Sequence, residues 1–276
     1  MTPQDISVLR CPKTHAPLTF KGQWRGEHAW RGKLETADGT QWQVRDGLPQ
    51  LFEQEDVRPP DRFMQRWFYN TVPKLHDPAV RILLPLMQSF DQTEDQLRDG
   101  YFDQMKLNEL PEDRPVRVLE VSVGTGANLP RLRARLANRP VEIWGLDLSA
   151  GMMGTCRKNG RAGDTRLLLA DAHALPFADN SFDRVFHIGG INGFGDPALA
   201  LRELGRVARP NTPIVVVDEQ LDANSTSLWH RVGFRAITLY DDDPRAPVDQ
   251  LPPNAVIDDN AQLSRFFYGL AWHLPE

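Results

Sequence analysis

A glycine-rich turn in the middle of the chain offers the clearest ligand-binding pattern in the sequence. Residues 116–121 are apolar and predict a strand, and Glu120-Val-Ser-Val-Gly-Thr-Gly126 leads from the end of that strand into the turn. Glycine allows close approach of a ligand to the backbone, and the start of the following helix offers unpaired N–H groups. A dinucleotide site would need a third glycine at position 129, which is Leu129. The turn therefore favours another adenosine ligand, with Glu120 placed to accept from a cationic amino group, directly or through water.

Two further acids follow the next two predicted strands. Asp147 ends the strand at 141–146, and Asp171 follows the strand at 166–170. An acid at the end of the second strand can accept both hydroxyls of a ribose, and one after the third can accept from an adenine amino group. The simpler roles are a helix cap for Asp147, although Ser149 is available for it, and a turn-forming role for Asp171. Three acids at three successive strand ends favour a nucleoside ligand.

The loop after the fourth predicted strand contains the candidates for catalysis. His187 ends that strand and could act as a general base near neutral pH. The interpretation we favour is that His187 only hydrogen-bonds the ligand's carboxylate or the backbone. Asn192 could orient a polar group of a substrate, or simply cap the loop. Between them, Gly189-Gly190 indicates a backbone pressed close to the reacting group.

Alternating strands and helices must position these residues. Strands are predicted at 116–121, 141–146, 166–170, 182–187 and 213–217, with helices at 128–137, 150–159 and 198–208, and two late strands at 254–258 and 265–272. This alternation predicts a parallel sheet with helices on both faces. Ligands bind such sheets at the carboxyl ends of the strands, where the acids are expected.

The chain is expected to contain three parts. Residues 1–55 are rich in tryptophan and glycine and predict a small β-rich domain. Residues 62–110 have a helical pattern interrupted by prolines and are interpreted as a lid or linker. Residues 111–276 form the ligand-binding domain. Hydrophobic residues make up 41% of the chain and charged residues 25%, which is enough apolar material for a sizeable core.

Composition and charge exclude several classes of protein. The net charge of -5 argues against a general nucleic-acid binder, which usually has a basic surface. The two cysteines, Cys11 and Cys156, do not form a disulfide framework. The N-terminus lacks the pattern of a signal peptide, and no apolar run approaches the ~20 residues that span a bilayer. We therefore expect a cytoplasmic protein that does not enter membranes.

Taken together, the motifs resemble those of the class I S-adenosylmethionine-dependent methyltransferases, especially the branch with the ubiquinone and menaquinone methyltransferases. The resemblance covers about residues 62–276. It is carried by Glu120-Val-Ser-Val-Gly-Thr-Gly126, Gly145-Leu-Asp-Leu-Ser149, Asp171-Ala-His-Ala-Leu-Pro-Phe177, Asn180-Ser-Phe-Asp-Arg-Val185 and Glu203-Leu-Gly-Arg-Val-Ala-Arg-Pro210. It implies a Rossmann-like, seven-stranded, mostly parallel sheet with helices on both faces, a helical lid and S-adenosyl-L-methionine as cofactor.

The resemblance also implies roles for individual residues. Gly124 and Gly126 would pack beside the methionine part of the cofactor, Asp147 would bind the ribose, and Asp171 and Ala172 would flank the adenine. The remaining predicted cofactor residues are Glu120, Ser122, Leu148, Met152 and His187. Ser122 stands where the family usually has its first glycine. In the lid, the candidate pocket residues are Tyr69 and His76.

The N-terminal segment resembles a degenerate form of the small zinc-ribbon-like domain that precedes some methyltransferases. Its carriers are Leu9-Arg-Cys-Pro12, Pro17-Leu18 and Asp46-Gly-Leu-Pro49. A zinc site would need about four cysteine or histidine ligands at paired spacings. Only Cys11, His15 and His28 are present, so we expect no bound metal.

Methyl transfer from S-adenosylmethionine to a small molecule is the leading functional hypothesis. An alternative keeps the cofactor but cyclises its amino acid part and releases methylthioadenosine. A further alternative is RNA methylation, for which the ribbon-like segment is the only support and against which the acidic charge argues. The last is a binding module without activity. The sequence predicts neither the acceptor nor the oligomeric state.

Overall fold

A computed structural model of the protein describes residues 1–65, 94–137, 139–225 and 244–276, together with Leu228, Arg231, Val232 and Phe234. The strands in these residues are β1 Thr19–Arg25, β2 His28–Glu35, β3 Gln41–Arg45, β4 Leu48–Leu51, β5 Val116–Val121, β6 Val141–Asp147, β7 Arg166–Ala170, β8 Arg184–Ile188, β9 Ile214–Glu219, β10 Val256–Ser264 and β11 Phe267–His273. The α-helices are α1 Pro3–Val8, α2 Pro59–Met64, α3 Glu94–Gln104, α4 Leu129–Leu136, α5 Ala150–Lys158 and α6 Pro197–Val207. None of these helices is long and apolar enough to cross a membrane.

All these strands belong to one sheet, in the order β1-β2-β3-β4-β7-β6-β5-β8-β9-β11-β10. Strands β7, β6, β5, β8 and β9 run parallel to one another, and β11 runs antiparallel to β9 and β10. Strands β6 and β7 follow β5 on one side of it, and β8 and β9 then lie on its other side. The strand order therefore reverses beside β5. The crevice at such a reversal is the usual ligand site of open α/β sheets, and the glycine-rich turn begins there.

The sheet contains eleven strands over the described residues, where the resemblance predicted seven. The difference arises because β4 pairs in parallel with β7, with Gln50 opposite Leu169 and Leu51 opposite Ala170. An exposed edge of β7 would present unpaired backbone groups to other chains. The N-terminal strands cover this edge and continue the sheet, so residues 1–55 share a core with the larger part of the chain.

The central strands are buried on both faces, which explains their nearly continuous apolar sequences. On one face Trp144 packs between Phe177 and Phe182, with ring-centroid distances of 5.6 and 6.3 Å. On the other face α3 contributes Phe102, whose ring lies 6.2 Å from that of Phe186 on β8. Packing on both faces fixes the strand ends that carry the acids.

An array of ion pairs joins the outer faces of α3 and α4. Asp95, Asp99 and Asp103 recur every four residues and therefore lie on one face of α3. Arg131 is 2.6 Å from Asp95, and Arg135 is 2.6 Å from Asp99 and 2.7 Å from Asp103. Single surface pairs contribute at most about 1 kcal/mol, but together they hold α3 against α4 in one register.

Candidate active site

The glycine-rich turn after β5 combines left-handed backbone with close packing. Ser122, Gly124 and Gly126 have φ values of 60°, 54° and 73°. A Cβ on Gly126 would lie 2.5 Å from the Sγ of Cys156, so glycine is needed there for α5 to pack closely. A Cβ on Gly124 would meet no atom nearer than 3.9 Å, which leaves room for a ligand. Ser122 adopts the left-handed conformation, which favours glycine, the residue usual at this position in the family that the sequence resembles.

Asp147, at the end of β6, ties two loops together. Its Oδ2 accepts a hydrogen bond from the N–H of Gly124 at 2.8 Å, and its Oδ1 accepts one from the N–H of Ser149 at 2.7 Å. Ser149 itself caps α5 by accepting from the N–H of Met152 at 3.1 Å. The cap therefore belongs to Ser149, and Asp147 stands partly exposed at the edge of the crevice beside the glycine-rich turn.

Glu120 is buried beneath the same turn. Its Oε1 accepts from the Nδ2 of Asn128 at 2.6 Å, while its Oε2 has no hydrogen-bond partner among the described residues. Burial raises the pKa of Glu120 to about 8, although the Asn128 hydrogen bond and the charge of Arg98 act to lower it. An incoming cationic group would stabilise the ionised carboxylate, because an opposite charge favours the charged form.

Asp171, after β7, is engaged by its neighbour. Its Oδ1 accepts from the N–H of His173 at 2.9 Å and lies 2.6 Å from the Nδ1 of the same residue. Burial acts to raise the pKa of Asp171, but the hydrogen bonds from His173 outweigh it and the pKa lies below its ordinary value. The turn-forming arrangement considered from the sequence is therefore present. The next residue, Ala172, is buried.

His187, near the end of β8, is a buried hydrogen-bond acceptor. Its Nδ1 lies 3.1 Å from the carbonyl oxygen of Val121, so Nδ1 carries the hydrogen and Nε2 has a free lone pair. Nε2 has no partner among the described residues. Burial lowers the pKa of His187, against the opposing effects of Asp218 and the Val121 carbonyl. The imidazole is therefore neutral near pH 7 and able to accept a proton or a hydrogen bond.

A carboxylate that the sequence analysis missed organises the loop after β8. Asp218, fully buried on β9, accepts from the N–H of Gly190 at 3.0 Å and from the N–H of Asn192 at 2.7 Å. The side chain of Asn192 donates to the carbonyl oxygen of Glu219 at 2.8 Å. Asn192 thus fixes the loop, as its simpler predicted role required. The signal for Asp218 was present, since it is an acid near the end of the fifth predicted strand.

His173 and Phe194 were also not predicted. His173 is buried, and its Nε2 has no partner among the described residues. The ring of Phe194 lies 5.3 Å from that of His173 and 5.2 Å from that of His187, between centroids. Because Nδ1 of His173 faces the ionised Asp171, Nδ1 carries a hydrogen and donates it to that carboxylate. Two imidazole rings therefore pack against one aromatic ring at the ends of β7 and β8.

The segment that contains α2 and Gln65 contacts two of the loops around the site. Asp61 on α2 accepts from the N–H of Gly195 at 3.2 Å. Gln65 donates to the carbonyl oxygen of Leu148 at 2.6 Å. These contacts join the loops after β6 and β8. The predicted pocket residues Tyr69 and His76 lie outside the described residues.

The structure brings the predicted cofactor residues to the carboxyl ends of β5, β6, β7 and β8, which are neighbours in the sheet. These residues are Glu120, Ser122, Gly124, Gly126, Asp147, Leu148, Met152, Asp171, Ala172 and His187. Among the described residues, no group of three or more His, Cys, Asp or Glu side chains could hold a metal ion. Cys11 is instead fully buried in the apolar core.

Comparison with known proteins identifies the class to which this arrangement is similar. Residues 119–216, from β5 to β9, match the family described as "Methyltransferase domain". A solved structure of similar fold is phosphoethanolamine N-methyltransferase 2 of Haemonchus contortus in complex with S-adenosyl-L-methionine, with a TM-score of 0.55 and 14% sequence identity. The alignment covers 83% of this chain and 62% of that one. At this identity the likeness shows the fold alone, which is the Rossmann-like α/β fold of S-adenosylmethionine-dependent methyltransferases.

Two curated relatives are more specific. Demethylmenaquinone methyltransferase of Thermus thermophilus is 37% identical over 132 residues, which are 47% of this chain and 59% of the relative. Demethylmenaquinone methyltransferase of Renibacterium salmoninarum is 37% identical over 102 residues, 37% of this chain and 40% of the relative. The chain thus spans about half the length of these relatives.

Proposed function

We propose that the protein is an S-adenosylmethionine-dependent methyltransferase that acts on a small molecule. One observation carries the proposal. The segment that matches the methyltransferase domain, residues 119–216, contains the glycine-rich turn and the acids Glu120, Asp147 and Asp171 at adjacent strand ends. Acids and open backbone at the strand-order reversal are what a nucleoside with a cationic amino acid tail requires.

Each part of the cofactor has a matching group in this proposal. Asp147 accepts from the ribose hydroxyls, and Glu120 receives the ammonium group through Oε2. The open space above Gly124 accommodates the methionine part. On the adenine side, Asp171 offers its Oδ2, because Oδ1 is occupied by His173. Ala172, Leu148 and Met152 supply the apolar surfaces beside the ring.

S-adenosylmethionine supplies an electrophilic methyl group when it is bound. The protein's part is to align an acceptor in line with the methyl–sulfur bond and to exclude water, which is where most of the acceleration of such a displacement originates. The Nε2 of His187 can take a proton from an acceptor hydroxyl, because that nitrogen is neutral and unprotonated. Asn192 and Asp218 hold the loop that carries the two glycines after His187.

We further propose a hydroxylated aromatic acceptor of the reduced quinone type. The relatives named as demethylmenaquinone methyltransferases support this class. The ring of Phe194, packed between His173 and His187, offers an aromatic surface next to the acceptor nitrogen Nε2 of His187. An acceptor with an aromatic ring and an acidic hydroxyl would use both features.

The division of the chain is also a proposal. We assign residues 1–55 to a degenerate zinc-ribbon-like unit, residues 62–110 to a lid and residues 111–276 to the cofactor-binding domain. The packing of Cys11 in the core agrees with a ribbon that has lost its metal. The described flanks of the lid segment support its assignment, since Gln65 contacts Leu148 and Tyr101 contacts Asn128.

Mass spectrometry of reaction products tests the proposed function. The purified protein is incubated with S-adenosylmethionine alone, then with 1,4-dihydroxynaphthalene, and then with a pool of small-molecule acceptors. Accumulation of S-adenosylhomocysteine only when an acceptor is present supports methyl transfer, and the active acceptor defines the substrate class. Methylthioadenosine formed without any acceptor would instead indicate cyclisation of the cofactor. Transfer to RNA but to no small molecule would contradict the small-molecule assignment.

A further inference from the structure

A short chain of hydrogen bonds runs from α3 to the carboxylate of Glu120. Tyr101 is buried on α3, and its hydroxyl donates to the Oδ1 of Asn128 at 2.6 Å. Arg98, one turn earlier, donates to the same Oδ1 and lies 3.1 Å from the hydroxyl of Tyr101. Asn128 then donates through Nδ2 to the Oε1 of Glu120 at 2.6 Å. We name Arg98, Tyr101 and Asn128 the relay.

The relay fixes which end of the Asn128 amide faces Glu120. An amide can be rotated so that either its oxygen or its NH₂ group points at a neighbour. The guanidinium of Arg98 can only donate, so the group facing it must be the oxygen. The NH₂ group of Asn128 is therefore held toward Glu120. The opposite orientation would place the amide oxygen against a carboxylate and leave Arg98 facing donors.

Among the described residues, Glu120 is hydrogen-bonded through Oε1 and has no partner at Oε2. The side chain of Glu120 is 1% exposed, so its oxygens lie in surroundings that disfavour the charged form. The charged and titratable groups that act electrostatically on this carboxylate are Arg98 from α3, Asp147 from β6 and Cys156 from α5. Asp147 disfavours the ionisation of Glu120 and Arg98 favours it, while Cys156, whose pKa is raised by burial to about 11, is an uncharged thiol near neutral pH. The relay supplies the described contacts that stabilise the charged form.

We propose that Arg98, Tyr101 and Asn128 are positioning residues that orient Glu120 and favour its ionised form, so that Oε2 can accept from the ammonium group of the cofactor. The inference rests on the proposed function, because it takes the ligand to be S-adenosylmethionine or its product. It adds that α3, which lies outside the matched segment 119–216, contributes to the affinity of the site. The ion pairs between α3 and α4 hold the relay in place from the opposite face of α3.

Two ligands that differ in one part separate the relay from the rest of the pocket. S-adenosylhomocysteine carries the amino acid group, and 5′-methylthioadenosine lacks it. Isothermal titration calorimetry with both ligands at pH 6, 7 and 8 compares the wild type with Tyr101→Phe and Asn128→Leu. We expect Tyr101→Phe to weaken S-adenosylhomocysteine about fivefold at pH 7, as for one lost hydrogen bond. Methylthioadenosine affinity should stay within a factor of two, and Asn128→Leu should have the larger effect.

A second readout does not depend on any ligand. The titration of the Glu120 carboxyl is followed by carbon-13 NMR of glutamate-labelled protein and assigned by its absence in Glu120→Gln. Tyr101→Phe and Asn128→Leu should move the midpoint to higher pH, because each removes support for the charged form. Glu55→Gln, which removes an exposed carboxylate outside α3 and α4, is the control and should leave the midpoint in place. In the Glu120→Gln background, Tyr101→Phe should cause no further loss of S-adenosylhomocysteine affinity.

The outcomes distinguish failure of the relay from failure of the proposed function. An unmoved Glu120 midpoint in both relay variants, or equal losses for the two ligands, would overturn the relay. A different outcome is a midpoint that shifts in the relay variants while the wild-type protein binds neither ligand. That result would contradict the proposed function and leave the effect of the relay on Glu120 established. Thermal melting of each variant shows that it is folded, and Tyr101→Phe, which removes one oxygen atom, serves if Asn128→Leu does not fold.

Discussion

Replacing Glu120 with glutamine should change how the stability of the protein depends on pH. The carboxyl group has an ordinary pKa of 4.5 and a pKa of about 8 when buried in the folded protein. Between these values the folded state keeps a proton that the unfolded state releases, so the free energy of unfolding falls as the pH rises. Glutamine cannot ionise, and its amide oxygen can still accept from Asn128, so the variant should lose this dependence.

The magnitude follows from the interval between the two values. It spans about 3.5 pH units, and each unit corresponds to about 1.36 kcal/mol, so the full effect is about 5 kcal/mol. The destabilisation is absent below pH 4.5 and complete above pH 8. Glu120→Gln should therefore match the wild type near pH 4.5 and exceed its stability increasingly toward pH 8.

Urea denaturation followed by circular dichroism at pH 5, 6, 7 and 8 measures the difference, with no cofactor added. The exposed Glu55→Gln variant is the control, and its difference from the wild type should not change with pH. A difference between Glu120→Gln and the wild type that stays constant within about 0.5 kcal/mol over this range would refute the reasoning, because it would mean that the buried carboxyl ionises as it does in water.

Three more changes have defined outcomes. Asp147→Asn would turn an NH₂ group toward one of the two backbone donors now held by the carboxylate. We expect the free energy of unfolding to fall by about 1–3 kcal/mol in urea denaturation, and S-adenosylhomocysteine affinity to fall at least tenfold by calorimetry. Unchanged affinity would remove Asp147 from the site. Gly126→Ala should lower the free energy of unfolding by about 1–3 kcal/mol because the new Cβ clashes with Cys156, and adding Cys156→Ala should restore part of that stability. An unchanged free energy of unfolding in urea denaturation would contradict the described packing. If His187 removes a proton, His187→Gln should lower the rate of S-adenosylhomocysteine formation with the active acceptor by a factor of about 10²–10⁴ and leave cofactor affinity unchanged. An unchanged rate would leave His187 a structural role.

The parallel core of the sheet could be predicted because its signals are local. Strands buried on both faces have continuous apolar sequences, and helices follow them at regular intervals. The acids could be located for the same reason, since parallel strands end at one edge of the sheet. Glu120, Asp147 and Asp171 follow this rule, and so does Asp218, which the prediction overlooked.

What the sequence did not predict depends on contacts between distant segments. The pairing of β4 with β7 joins residues more than a hundred positions apart and leaves no periodic pattern. The relay depends on α3 lying against α4, which places Tyr101 beside Asn128 only in the folded chain. The ion pairs of Arg131 and Arg135 on α4 leave no local signal for the same reason, because their acidic partners lie on another helix.

Direct binding of S-adenosylmethionine to the wild-type protein is the measurement that tests the central claim. Isothermal titration calorimetry is performed at pH 8 with S-adenosylmethionine, and NAD⁺ is titrated in parallel as a dinucleotide with the same adenosine part. The account predicts one binding site for S-adenosylmethionine and no measurable binding of NAD⁺, because Leu129 replaces the third glycine of a dinucleotide turn. Absence of S-adenosylmethionine binding, or preferential binding of NAD⁺, would contradict the account.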